Sequence, residues 1–89
     1  MKAAVLEAVA TIRDNPRPLS FVELPTPAPG PGQILVRVSA CGVCHTELDE
    51  IEGRTPPVSF PFILGHQIVG RVEAPGPGAS VHPIGARVG

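Results

Sequence analysis

Apolar residues run through this chain in short bursts separated by proline and glycine, and the bursts alternate as strands do. Ala3 to Ala10 is the first and reads as a strand, closed by a turn at Asp14-Asn15-Pro16-Arg17-Pro18. Leu19 to Leu24 follows as a second, half-exposed strand. The stretch Gln33 to Ala40 has the clearest pattern, with Ile34, Val36 and Val38 alternating against Leu35, Arg37 and Ser39. That spacing predicts a strand with one apolar face on a core. Ile63 to Ala74 reads as a strand entry and a strand, with Gly65 and Gly70 marking bulges or close backbone approach. A last strand is expected around Gly85 to Gly89.

One short helix interrupts this series. Thr46-Glu47-Leu48-Asp49 has a hydroxyl followed three residues later by an acid, the pattern of a helix start, and Gly53 suits its end. Leu48 and Ile51 share one face, with Cys44 upstream on the same side, so the helix is expected to pack inward. Asp49, Glu50 and Glu52 then read as a solvated acidic face; Glu47 is set apart from them. The segments Pro25 to Gly32, Thr55 to Phe62 and Pro75 to Gly78 read as connections. The fold class predicted is mostly β with one short helix and five or six strands, a partial barrel.

Composition narrows the picture. With 12 Pro and 10 Gly among 89 residues, long helices are excluded, and the content approaches that of disordered low-complexity chains. Disorder is nevertheless ruled against by 43% hydrophobic residues and a net charge of only -1. Seven basic residues form no stripe, and Trp and Tyr are absent, so a nucleic-acid partner is not expected. The start has no long apolar run and no window reaches the roughly 20 apolar residues of a membrane span, so the expectation is a cytoplasmic protein without a membrane partner. There, paired cysteines serve metal or redox chemistry more often than structural disulfides.

Both cysteines lie in Cys41-Gly42-Val43-Cys44-His45. The literal pattern matches a haem attachment site, but no export signal accompanies it and no methionine other than Met1 is present to serve as an axial ligand. A dithiol redox protein using Cys41 and Cys44 is a second reading, opposed by prolines that deny the required βα alternation. A third is a non-catalytic zinc-stapled β module using Cys41, Cys44 and two of His45, His66 and His82. The fourth is a catalytic zinc held by Cys44 and His66 with a further ligand from outside these residues. A bare β scaffold without metal also remains open, and spacing alone does not decide among these.

The segment Val38 to Leu48, containing Cys-Gly-Val-Cys-His-Thr-Glu-Leu, and the segment Gly65 to Val72, containing Gly-His-Gln, together resemble zinc-dependent medium-chain alcohol dehydrogenases. The opening Met1 to Val5, the segment Pro27 to Val36 and the closing Gly85 to Val88 resemble the same family in the same order. The resemblance implies that residues 1–89 are the N-terminal segment of a GroES-like catalytic domain, truncated in mid-fold, with the nucleotide-binding domain outside this chain and an exposed apolar strand edge near residues 84 to 88 where further strands would pair. It implies Cys44 and His66 as ligands of a catalytic zinc, with Cys41 a non-ligand. It also implies Thr46 as the hydroxyl that passes on the alcohol proton, and His45 as a member of that relay or a contact to cofactor phosphate. The implied reaction is oxidation of a small-molecule alcohol to an aldehyde or ketone with hydride transfer to NAD or NADP, in a full-length homo-oligomer. These 89 residues alone are expected to be inactive.

Two departures from the family pattern bear on the chemistry. Glu47 stands where the family usually has Asp, keeping the charge one methylene further out as an outer partner of the imidazole of His66. Gln67 stands where Glu is usual, and the lost charge is expected to lower the pH optimum relative to a Gln67→Glu variant.

Overall fold

A computed structural model describes residues 1–89 as six strands and one helix. The strands are β1 (Lys2–Leu6), β2 (Leu19–Glu23), β3 (Ile34–Gly42), β4 (Phe62–Ile63), β5 (Gln67–Pro75) and β6 (Arg87–Val88), and the helix is α1 (His45–Glu52). The mostly β expectation holds. No helix is long and apolar enough to cross a membrane. The chain divides into two compact units, one of Met1–Pro25 with Val43–Gly65 and one of Thr26–Gly42 with His66–Gly89.

The first unit holds a three-stranded antiparallel sheet in the order β2-β1-β4, and α1. β1 stops at Leu6 rather than running on to Ala10, because the next residues turn to the helix: the Ala10 N–H donates to the carbonyl of Ile51 at 2.9 Å. Val5, Leu6 and Ile51 are its buried apolar residues. The turn falls earlier than the Asn-Pro sequence suggests, with the Asp14 and Asn15 amides donating to the Thr11 carbonyl. Gly53 closes the helix as expected. It adopts a left-handed conformation, φ 84°, and a Cβ there would lie 2.8 Å from Val9 Cγ1, so side chains are excluded twice over.

The second unit is a three-stranded antiparallel sheet in the order β3-β5-β6. β3 and β5 pair along their length with two register shifts, and Gly70 faces Val38 between them. A Cβ on Gly70 would sit 2.3 Å from the Arg37 carbonyl oxygen, which is the close approach its glycine predicts. The proline-rich connection before β3 is tied to the Pro75–Gly78 turn: the Gly32 amide donates to Pro77 and the Gly76 amide to Gln33, both at 2.8 Å. The apolar face of β3 is less covered than its alternation predicts. Val72 is the one buried apolar side chain of this sheet, while Val38 is 55% exposed. Ile84 is 70% exposed beside the edge strand β6, in line with the expected apolar edge.

Candidate functional site

The first helix residue is His45, and the residue that caps the helix is Cys44. This corrects the start expected at Thr46. Cys44 keeps an extended backbone, φ -128° and ψ -173°, and its Sγ accepts the Thr46 N–H at 3.4 Å. Glu47 completes a capping box by accepting the Cys44 N–H on Oε2 at 2.8 Å. The box therefore runs from Cys44 to Glu47, two residues earlier than the hydroxyl pattern indicates, with sulfur in the role usually taken by oxygen.

This arrangement buries Glu47 to 5% exposure, so the buried residues of the helix are an acid and Ile51. A carboxylate oxygen of Glu47 and the Sγ of Cys44 lie within 4.8 Å of each other. A sulfur and a carboxylate thus meet at the positive end of a helix dipole, a position that favours anionic groups. Thr46, next to the cap, is exposed.

Asp49 and Glu52 are engaged rather than simply solvated. Asp49 Oδ1 lies 3.2 Å from His45 Nδ1 and 2.5 Å from Arg54 Nε. Arg54 Nη1 reaches Glu52 Oε1 at 2.9 Å, and Glu52 Oε2 accepts the Ile12 N–H at 2.9 Å. The hydrogen bond from Arg54 is the main cause holding the Asp49 carboxyl below the usual range, helped by His45. Glu52 is lowered first by the Ile12 amide and then by Arg54. Sequence reading missed this chain of contacts, although the four-residue step from His45 to Asp49 was available as a signal.

Because both carboxyls have lowered values in the folded state, their contribution is complete above the ordinary carboxylate range and is lost as pH falls through the lowered values. Protection of the Ile12 amide against hydrogen exchange, corrected for intrinsic rates, is accordingly expected to be constant from roughly pH 7 to pH 5 and to collapse below about pH 4. Unchanged protection at about pH 2 would contradict the clamp.

The remaining predicted residues belong to the second unit. His66 is exposed immediately before β5 and lines an open groove of about 860 Å3 with Ile34, Val36, Val38, Ile68 and His82. Gln67 opens β5 opposite Gly42, where a Cβ would lie 3.0 Å from Gln67 Oε1. Cys41 is exposed on β3 opposite Ile68. Within the first unit the fold brings together Cys44, Glu47, His45 and Thr46 on one helix start; His66 and Gln67 stand together at the entry of β5.

Comparison with known proteins gives the family of the chain. The chain is 42% identical over its whole length to an alcohol dehydrogenase of Geobacillus stearothermophilus, of which it covers 25%. A crystal structure of an NAD-dependent alcohol dehydrogenase superposes with a TM-score of 0.88 at 32% identity, over 98% of this chain and 24% of that one. A cobalt- and zinc-bound thermostable alcohol dehydrogenase from Pyrobaculum aerophilum gives 0.86 at 33% identity, over 99% and 25%. The chain thus spans about a quarter of the length of these relatives. Residues 30–89, which hold both the helix cap and the β5 entry, match the alcohol dehydrogenase GroES-like domain, and the chain belongs to that family.

Proposed function

We propose that this chain is the N-terminal part of the catalytic domain of a zinc-dependent alcohol dehydrogenase, which oxidises an alcohol to an aldehyde or ketone and passes hydride to NAD or NADP. The observation that carries the reading is Cys44: its sulfur caps α1 within 4.8 Å of a buried carboxylate, in a chain alike over its whole length to alcohol dehydrogenases. The donors fit zinc, which favours thiolate and imidazole ligands.

Cys44 and His66 would hold the metal, with a third ligand and the nucleotide-binding elements supplied from outside these 89 residues. The chemistry a bound zinc supplies there is Lewis acidity toward the alcohol oxygen. Glu47 holds the Cys44 backbone through its amide and so sets where Sγ points. In this reading it also orients the His66 imidazole, and Gln67 tunes the charge nearby. Thr46 takes the proton from the alcohol through its hydroxyl, and His45 moves it onward or contacts the cofactor phosphate. The substrate is a small alcohol, the setting is the cytoplasm, and the working form is a homo-oligomer. The 89 residues by themselves do not turn over substrate.

Metal analysis with an activity assay tests this. The intact protein is expected to carry zinc and to reduce NAD or NADP when supplied with alcohols, and chelation is expected to remove both properties together. Undiminished alcohol oxidation after complete zinc removal overturns the zinc reading, and a protein that takes up no zinc does the same.

A further inference from the structure

The acidic and basic residues of the second unit, apart from its histidines, are Arg37, Arg71, Arg87 and Glu73. Far apart along the chain, the three arginines make no stripe in the sequence, but strand register assembles one. Arg37 lies opposite Arg71, and Arg71 opposite Arg87. Residues directly opposite in antiparallel strands share a face of the sheet, so the row crosses β3, β5 and β6 on one side. With neighbouring strands about 4.8 Å apart, its ends are roughly 10 Å from each other. The second pair is the closer one. The Val72 amide donates to the Ala86 carbonyl at 2.9 Å and the Val72 carbonyl accepts from the Gly85 amide at 2.8 Å, so the backbone of Val72 faces the chain entering β6. Arg71, one residue earlier, faces β3 and meets Arg87 as a non-hydrogen-bonded pair, in which side chains approach most nearly.

Like charges directly opposite destabilise a sheet, and this sheet sets them so twice over. One arginine is relieved: Glu73 forms an ion pair with Arg37, whose side chain stays 74% exposed. Arg71 Nη1 donates to the Gly85 carbonyl at 3.0 Å, while neither Arg71 nor Arg87 forms an ion pair. All three arginines are exposed. A local arrangement that costs the fold is expected where a surface serves binding. We propose that the row of Arg37, Arg71 and Arg87 is a docking surface for an acidic polypeptide segment, whose carboxylates complete the neutralisation that Glu73 begins. The row already holds one carboxylate, and the guanidinium fork offers such a group paired donors. Single-stranded nucleic acid is bound by base stacking as well as charge, and Phe21, Phe60 and Phe62 all belong to the other unit. Arginines already held by Glu73 and by the Gly85 carbonyl also lose less freedom on docking than unrestrained ones.

Fluorescence anisotropy of a labelled polyglutamate peptide, titrated with the intact protein at low salt, tests this without substrate or cofactor. Arg71→Gln and Arg87→Gln should each weaken binding about two- to fivefold, the range of a single exposed ion pair. Glu73→Gln should strengthen it by about the same factor, because it releases Arg37 and removes the competing carboxylate. Arg13→Gln takes the same charge from an exposed residue of the first unit and should matter less than either row variant. Wild-type protein that does not bind the peptide overturns the proposal. So do equal losses in Arg13→Gln and Arg87→Gln, which would reduce the effect to net charge, and a Glu73→Gln variant that binds no better than wild type. Inorganic polyphosphate of matched charge that binds more tightly than the peptide overturns the choice of carboxylate. Thermal unfolding of the same samples gives a second readout. Losing a like-charge contact should leave the midpoint of Arg87→Gln at or above that of wild type, and a fall would mean that Arg87 is already paired in the intact protein, which also overturns the proposal. Zinc content should be the same in all four variants, so failure here leaves the dehydrogenase reading standing, and the failure of that reading leaves this one.

Discussion

Cys44→Ser is expected to abolish zinc binding while leaving α1 folded. Serine is among the preferred helix caps, so its hydroxyl can take over the Thr46 N–H that Cys44 Sγ accepts at 3.4 Å. The metal-free stability of the variant should therefore stay within about 1 kcal/mol of wild type. Zinc affinity should fall by more than about 100-fold, because even residues that only support a ligand are worth 10–100-fold. Cys41→Ser is the matching control. Cys41 is exposed on β3 and plays no part in the helix cap, so its replacement should change affinity by less than about threefold. Competition against a chromophoric chelator, with circular dichroism on the same samples, measures both. Equal losses in the two variants would favour a zinc-stapled module over a catalytic site, and a redox-active pair with no zinc uptake would favour dithiol chemistry.

The contrast between the two cysteines was legible in the sequence only through resemblance; the physical reason for it was not. Local pattern located β2, β3, the end of α1 at Gly53 and the close approach at Gly70, because each depends on neighbours in sequence or on a residue with one obvious use. The start of α1 was misplaced by two residues. Rules for helix starts look for oxygen, and here a sulfur caps the helix while an acid usually read as solvent-facing is buried against it. The apolar alternation of β3 gave the strand but not its burial, since coverage of a sheet face depends on what packs over it and periodicity reports only which side is apolar. The clamp on Asp49 escaped for a similar reason. Arg54 lies beyond a left-handed glycine, and the turn at Gly53 brings it back onto Asp49 and Glu52 of the helix in a way that linear spacing does not reveal.

Glu47 shows how far the site and the fold are one object. Glu47→Ala should lower stability by about 3 kcal/mol, combining an unsatisfied Cys44 amide with loss of a side chain only 5% exposed. Glu47→Gln keeps an oxygen for the Cys44 N–H and retains the capping box, so its cost should be about 1 kcal/mol. Urea denaturation of the metal-free protein separates the two, and equal midpoints would show that the capping bond contributes nothing. The same pair then reports on the metal. The Cys44 amide fixes the backbone that carries Sγ, so Glu47→Ala should weaken zinc binding by about 10- to 100-fold, as loss of a supporting partner does elsewhere. Glu47→Gln should fall between Ala and wild type, because it keeps the geometry and removes only the charge. A Gln variant that folds like wild type yet binds zinc as poorly as Ala would mean that the charge of Glu47, rather than its hold on Cys44, is what the metal needs.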